Sequence, residues 1–134
     1  MLGKKVGTVT GSATNSLEPA VGASPRFSTV AEGSGSFLGV DVQNMVKFTA
    51  EMNIDGSLYG ECPNSGLLMA SDGVATFRAS GVGHFTETGG SSFRGAVYFQ
   101  ASAPSLSDLN GKAFVFHWEV DAAGGTVWDV WEWE

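Results

Sequence analysis

Val42-Gln43-Asn44-Met45-Val46-Lys47-Phe48-Thr49-Ala50-Glu51-Met52-Asn53-Ile54, followed at once by Asp55-Gly56, is the stretch that decides the fold. Val42, Val46, Phe48, Ala50, Met52 and Ile54 fall on one side of an extended chain; Gln43, Lys47, Thr49, Glu51 and Asn53 fall on the other. A strand imposes that period of two, and a helix does not. Asp-Gly then marks a hairpin, because glycine takes positive φ at little cost. The stretch reads as one strand running into its antiparallel neighbour.

Working outward, the same grammar repeats. Upstream, Lys4–Ala13 reads as a first strand, a Ser-, Ala- and Pro-rich loop runs to about Pro25, and Arg26–Leu38 is a second strand with Gly33 and Gly35 inside it. Downstream, Ser57–Cys62 begins a fourth strand, interrupted at Pro63-Asn64-Ser65-Gly66 and resumed by Leu67–Ala70. After Asp72-Gly73 come Val74–Thr86, Ser92–Ala101, Lys112–Asp121 and Thr126–Trp133, with Gly89-Gly90 and Gly124-Gly125 at two joins. The longer Pro104–Gly111 join has room for a short helical turn. Eight consecutive strands with short connections make a meander, and closure removes its exposed edges. The expectation is an all-β, eight-stranded antiparallel up-and-down barrel spanning residues 1–134 as a single domain.

Composition narrows the function classes. The 134 residues are 43% hydrophobic and 16% charged, enough apolar material for a core. Net charge is -7, and the seven Lys and Arg are scattered, so no basic stripe exists for nucleic acid or an anionic membrane surface. Cys62 is the only cysteine, which rules out an intrachain disulfide and leans toward a reducing compartment. Lys4 and Lys5 are followed by no apolar run of signal-peptide or membrane-spanning length. A cytoplasmic location is the expectation.

The stretches Asp55-Gly56-Ser57-Leu58-Tyr59-Gly60-Glu61, Gly81-Val82-Gly83-His84-Phe85-Thr86 and Phe93-Arg94-Gly95-Ala96-Val97-Tyr98-Phe99-Gln100 carry a resemblance. With Leu109-Asn110-Gly111 and the ending Val130-Trp131-Glu132-Trp133, they make the last two-thirds of the chain similar to a family of small, uncharacterised bacterial and archaeal proteins. Cys62-Pro63-Asn64-Ser65 departs from the smoother Gly-rich run of that family. At fold level the pattern resembles the allene oxide cyclase-type (dirigent-like, calycin-like) barrel. Such barrels include cyclases, dirigent proteins and domains with no assigned role, several of them oligomeric. The resemblance implies a fold, not an activity.

Hairpin register predicts which side chains meet. A tight Gly89-Gly90 turn sets His84 beside Arg94, and alternation brings Arg94 near Glu119 with Tyr98, Gln100 and His117 on the same side. A turn centred on Ala123-Gly124 adds Trp128 to that polar face, which also carries Arg78 and Glu132. The opposite face carries Phe77, Phe85, Phe93, Val97, Phe99, Phe114, Phe116, Trp118, Trp131 and Trp133. Binary patterning puts the aromatic face inside. Turn chemistry points the other way: if Asp55-Gly56 and Asp72-Gly73 form the same kind of turn, the apolar face of Val42–Ile54 joins the polar face, which becomes the lumen. The two arguments nearly balance, and the turn argument tips the reading toward a polar lumen.

On that reading the lumen holds a small apolar or amphipathic molecule, anchored by an Arg94–Glu119 ion pair and oriented by Tyr98 and Gln100, and the aromatic outside makes a homo-oligomer. A cofactor-free cyclase or isomerase is the first alternative, with His84 or Glu119 as catalytic proton carrier and His117 or Glu61 nearby. The second is a structural or interaction module with a solid core, in which Arg94–Glu119 is an exposed cross-strand pair and the histidines are ordinary surface residues. No close-spaced ligand motif suggests a metal, and no cofactor is expected. Cys62 reads as a small buried apolar residue. The aromatic stripe Phe114, Phe116, Trp118 reads as core or interface.

Overall fold

A computed structural model describes residues 2–134. It is an all-β, closed barrel of eight antiparallel strands in sequence order: β1 (Leu2–Val21), β2 (Ser24–Phe37), β3 (Val40–Met52), β4 (Leu58–Ala70), β5 (Gly73–Phe85), β6 (Ser91–Ala101), β7 (Phe114–Val120) and β8 (Gly125–Trp133). β1 pairs with β8 to close the wall. A short 3-10 helix, Pro104–Leu109, occupies the β6–β7 connection, as the length of that join suggested.

The aromatic face is the inside, and the expected polar lumen is overturned. Phe77, Phe93, Val97, Phe99, Phe114, Phe116 and Trp118 are buried with Val42, Val46 and Ala50 of β3. The reason lies in the two Asp-Gly turns, which differ. Asn53 and Ser57 close a three-residue loop, Ile54-Asp55-Gly56, with Gly56 at φ 87°. Ala70 instead pairs directly with Gly73 across Ser71-Asp72, a two-residue loop. A loop one residue shorter flips every later side chain to the other face. One flip, not two or none, carries the apolar face of β3 onto the aromatic face of β5.

The last turn corrects a second expectation. Asp121 and Gly125 close Ala122-Ala123-Gly124, so Trp128 lies opposite Trp118 in the core, and Val127 is the residue opposite Glu119. Trp131 moves outside, where its ring meets His117 at 4.6 Å. Trp133 is exposed. The β5–β6 turn keeps the expected parity but shifts the register by one pair, setting His84 opposite Ser92 and Val82 opposite Arg94.

Glycines make room for the rings. Gly7, Gly66 and Gly83 lie directly across the ladder from Phe37, Phe77 and Phe93, and a Cβ at any of the three would enter the facing ring. Inward glycines also face each other, as Gly60 and Gly81 do between β4 and β5; the tightest such pairs are Gly11 with Gly33 between β1 and β2 and Gly81 with Gly95 between β5 and β6. There the backbones approach so closely that an added Cβ would meet the facing strand's backbone.

The two ends differ. At one, Leu106 and Leu109 of the 3-10 helix are fully buried beneath Phe37, Phe99 and Phe114. Asp72 clamps that helix by accepting from the Ser105 amide (2.9 Å) and hydroxyl (2.7 Å). At the other end β1 outruns β8: its last residue paired there is Ser12, with Gly125, and it runs on to Val21 against β2, which itself stays paired with β3 as far as Arg26. The stretch from Thr14 to about Pro25 was expected to be a loop. Phe27 of β2 reaches Phe85 of β5 across the mouth, edge to face at 6.1 Å.

Candidate functional site

Of the residues expected to line the lumen, Trp128 does so with Val46 and Phe48 of β3, but Arg94, Glu119, Tyr98, Gln100, His84, His117 and Glu61 do not. Arg94 and Glu119 form their ion pair, Nη1 to Oε2 at 3.0 Å, on the outer surface, with side chains 54% and 49% exposed. Ser92 Oγ donates to the same Glu119 oxygen at 2.6 Å and accepts from Arg94 at 3.1 Å. Tyr98, Gln100, His84 and Glu61 are also exposed on the outside. His117 is half-buried there, opposite Arg94 on β6 and Asp129 on β8. Its pKa is pushed down, chiefly by burial against the wall and then by the Arg94 charge. Asp129 in turn accepts from Thr8 (2.9 Å) and pairs with Lys5 (2.8 Å), whose ammonium sits 5.8 Å from the Trp131 ring. The strip is an exposed, internally satisfied network, so the proton carriers His84 and Glu119 stand outside the barrel and cannot reach a lumenal substrate. The aromatic outer face expected to make a homo-oligomer is the core itself.

The lumen contains a different feature. A cavity of about 50 Å³ lies at mid-height, walled by Phe48, Cys62, Phe77, Phe93, Phe116, Trp118 and Trp128 with Gly60, Ala79 and Gly81. Phe48 stands edge-on to Trp118 at 5.8 Å and meets Phe93 at 6.0 Å. The indole Nε1 of Trp118 is buried and has no hydrogen-bond partner. An orphaned buried donor costs roughly 1–3 kcal/mol. Cys62, buried as the sequence suggested, is the only ionisable side chain among the cavity's inward-facing residues. Its Sγ lies 3.5 Å from Ser65 Oγ and 3.8 Å from the Phe77 carbonyl oxygen.

Glu61 and Ser80 also border the cavity although their strand positions face outward, so it reaches the wall between β4 and β5. That wall is interrupted. Ladder pairing stops at Cys62–Ala79 and resumes at Gly66–Phe77, leaving Pro63-Asn64-Ser65 as an outward excursion against Arg78, with Asn64 at φ 62°. Pairing with β3 lapses at the same level, between Val46 and Thr49. Outside the gap lies a shallow depression of about 200 Å³, bounded by Tyr59, Glu61, Pro63, Arg78, Ser80 and Tyr98. Sequence reasoning passed over Trp118 and Arg78 as site residues. The signal was the Pro63–Ser65 break, which marks where the wall parts.

Among the described residues, no group of three His, Cys, Asp or Glu side chains is placed to hold a metal ion. No helix is long and apolar enough to cross a membrane.

The architecture is shared with solved structures. A conserved protein of unknown function from Rhodopseudomonas palustris superposes with a TM-score of 0.78 at 17% identity, covering 96% of this chain and 95% of that one. A protein of unknown function from Clostridium acetobutylicum gives 0.76 at 11% identity, covering 98% of each. A beta-barrel like protein from Acinetobacter baumannii gives 0.78 at 13%, covering 98% of this chain and 94% of the other. At these identities the likeness is one of fold. No family model and no curated protein matches the chain.

Proposed function

We propose that the chain is a small-molecule-binding barrel whose site is the aromatic lumenal cavity, not the polar strip. The orphaned Trp118 indole N–H carries this reading. It is a hydrogen-bond donor held in apolar surroundings, and a compact apolar guest with one acceptor would satisfy it. Aromatic walls with a single fixed polar group are the usual make-up of a ligand pocket. The likeness to allene oxide cyclase-type barrels is consistent with a lumenal site. A cyclase or isomerase reaction is disfavoured, because the lumen offers no acid–base pair.

A solid-core interaction module is the second reading, and the cavity's size favours it. About 50 Å³ is a third of the roughly 150 Å³ cavity that accepts benzene. A guest must be small or must displace side chains.

Isobutanol, compact and apolar with one hydroxyl, separates the two. Binding should shift the Trp118 indole resonance in ¹H–¹⁵N spectra. Trp118→Phe should weaken it about two- to tenfold, the worth of one net hydrogen bond. No shift at Trp118, or equal binding by Trp118→Phe, would leave the interaction module standing.

A further inference from the structure

We propose that the depression outside the β4 gap is the polar half of the same site, and that the whole accepts a zwitterionic α-amino acid with a short branched apolar side chain. The inference rests on the lumenal site proposed above.

Three observations carry it. The cavity and the depression lie back to back, sharing Glu61, Cys62, Ala79 and Ser80, at the one level where β4 is unpaired on both sides. The mouth is spanned by one aromatic contact, Phe27 of β2 edge to face with Phe85 of β5 at 6.1 Å, which narrows the other route. Finally, the depression holds opposite charges that do not neutralise each other. Arg78 makes no ion pair with any described residue, and Glu61 only accepts from the Tyr59 hydroxyl at 3.3 Å.

A carboxylate suits Arg78, which presents a fork of donors to it. An ammonium suits Glu61. A chain of net charge -7 disfavours a simple monoanion and tolerates a zwitterion. The volumes divide the ligand the same way, with about 200 Å³ outside for the charged head and about 50 Å³ inside for a side chain passing through the gap between the Cys62–Ala79 and Gly66–Phe77 pairs. The excursion Pro63–Ser65 is the part of the wall that no ladder pairing holds. Its hold is the Ser65 hydroxyl donating to the Lys47 carbonyl (2.5 Å) and the Cys62 thiol beside it.

Calorimetric and NMR titrations of the full chain with L-valine, isovalerate and isobutanol test this. L-valine should bind most tightly and shift the Trp118 indole resonance. Arg78→Ala and Glu61→Gln should each weaken L-valine about 1.5- to fivefold while leaving isobutanol unchanged, as loss of one exposed charge contact would. Ala79→Val should block L-valine by filling the passage. Should L-valine bind no better than isobutanol, or bind Arg78→Ala undiminished, the amino-acid assignment fails and the lumenal site survives. Should neither compound reach Trp118, both fail together.

Discussion

The two ends of the barrel are built on opposite principles. At the closed end the chain spends a 3-10 helix, two fully buried leucines and the Asp72 clamp to shut the lumen over Phe37, Phe99 and Phe114. At the mouth the inward positions run out into solvent: Leu17 of β1 is 77% exposed and Phe85 of β5 49%. Full burial marks the closed end, while the inward positions on the mouth side of the cavity are left partly exposed. Sites that must admit a guest are drawn from the less stable part of a fold.

The comparison can be broken most decisively by truncation. Leu109→Ala should cost about 2–5 kcal/mol in chemical denaturation, the range for emptying a buried leucine site. Leu17→Ala at the mouth should stay within about 0.5 kcal/mol. Similar losses at both positions would abolish the contrast.

The clamp sharpens it. Hydrogen bonds from the Ser105 hydroxyl and amide hold the Asp72 carboxyl below its ordinary pKa. A carboxylate with a depressed folded pKa stabilises above its unfolded value, and the contribution is lost as pH falls through the folded value. Asp72→Ala should therefore lower the melting temperature at neutral pH. The gap to the parent should narrow below about pH 4. A constant gap down to pH 2 would mean the clamp is not ionic.

On the outer strip, nearer the mouth, effects should be smaller. Arg94→Ala or Glu119→Gln should cost about 0–1 kcal/mol, less at high salt, because both partners are about half exposed. A loss of several kcal/mol would mean that the pair is effectively buried. His117 should give the least. Burial and then Arg94 lower its folded pKa, so its contribution is present above the unfolded value near 6.5 and declines as pH falls below it. His117→Gln should flatten that part of the stability–pH curve slightly. A curve already flat in the parent would show that the ring is freely solvated.

Strand existence was legible over most of the chain, because alternation and glycine-marked turns are local. The 3-10 turn was legible from the length of its join. What could not be read was parity. Asp55-Gly56 and Asp72-Gly73 are the same dipeptide, yet in the first Gly56 ends the loop and in the second Gly73 already belongs to β5. Loop length depends on where the flanking strands lock, and that is a tertiary fact. Binary patterning alone would have chosen the correct face, since burying Phe and Trp outweighs any turn preference. The far half of β1 was missed for a related reason. Thr14-Asn15-Ser16 reads as loop because, past the end of β8, it is exposed and carries no apolar residue; only cross-strand bonds such as Thr29 Oγ1 to Asn15 Oδ1 (2.7 Å) declare it a strand. The candidate site was less legible still. It depends on a gap in hydrogen bonding, and a gap leaves no pattern beyond Pro63.

The Gly11–Gly33 and Gly81–Gly95 pairs lie between β1 and β2 and between β5 and β6, four strands apart, on opposite sides of the ring. At those two points neither facing residue carries a side chain, and the neighbours that close over them are Val9 and Phe116. Backbone resting on backbone leaves no slack. The pairs act as rivets: a larger residue at any of the four positions would prise the two strands apart before it changed anything in the lumen.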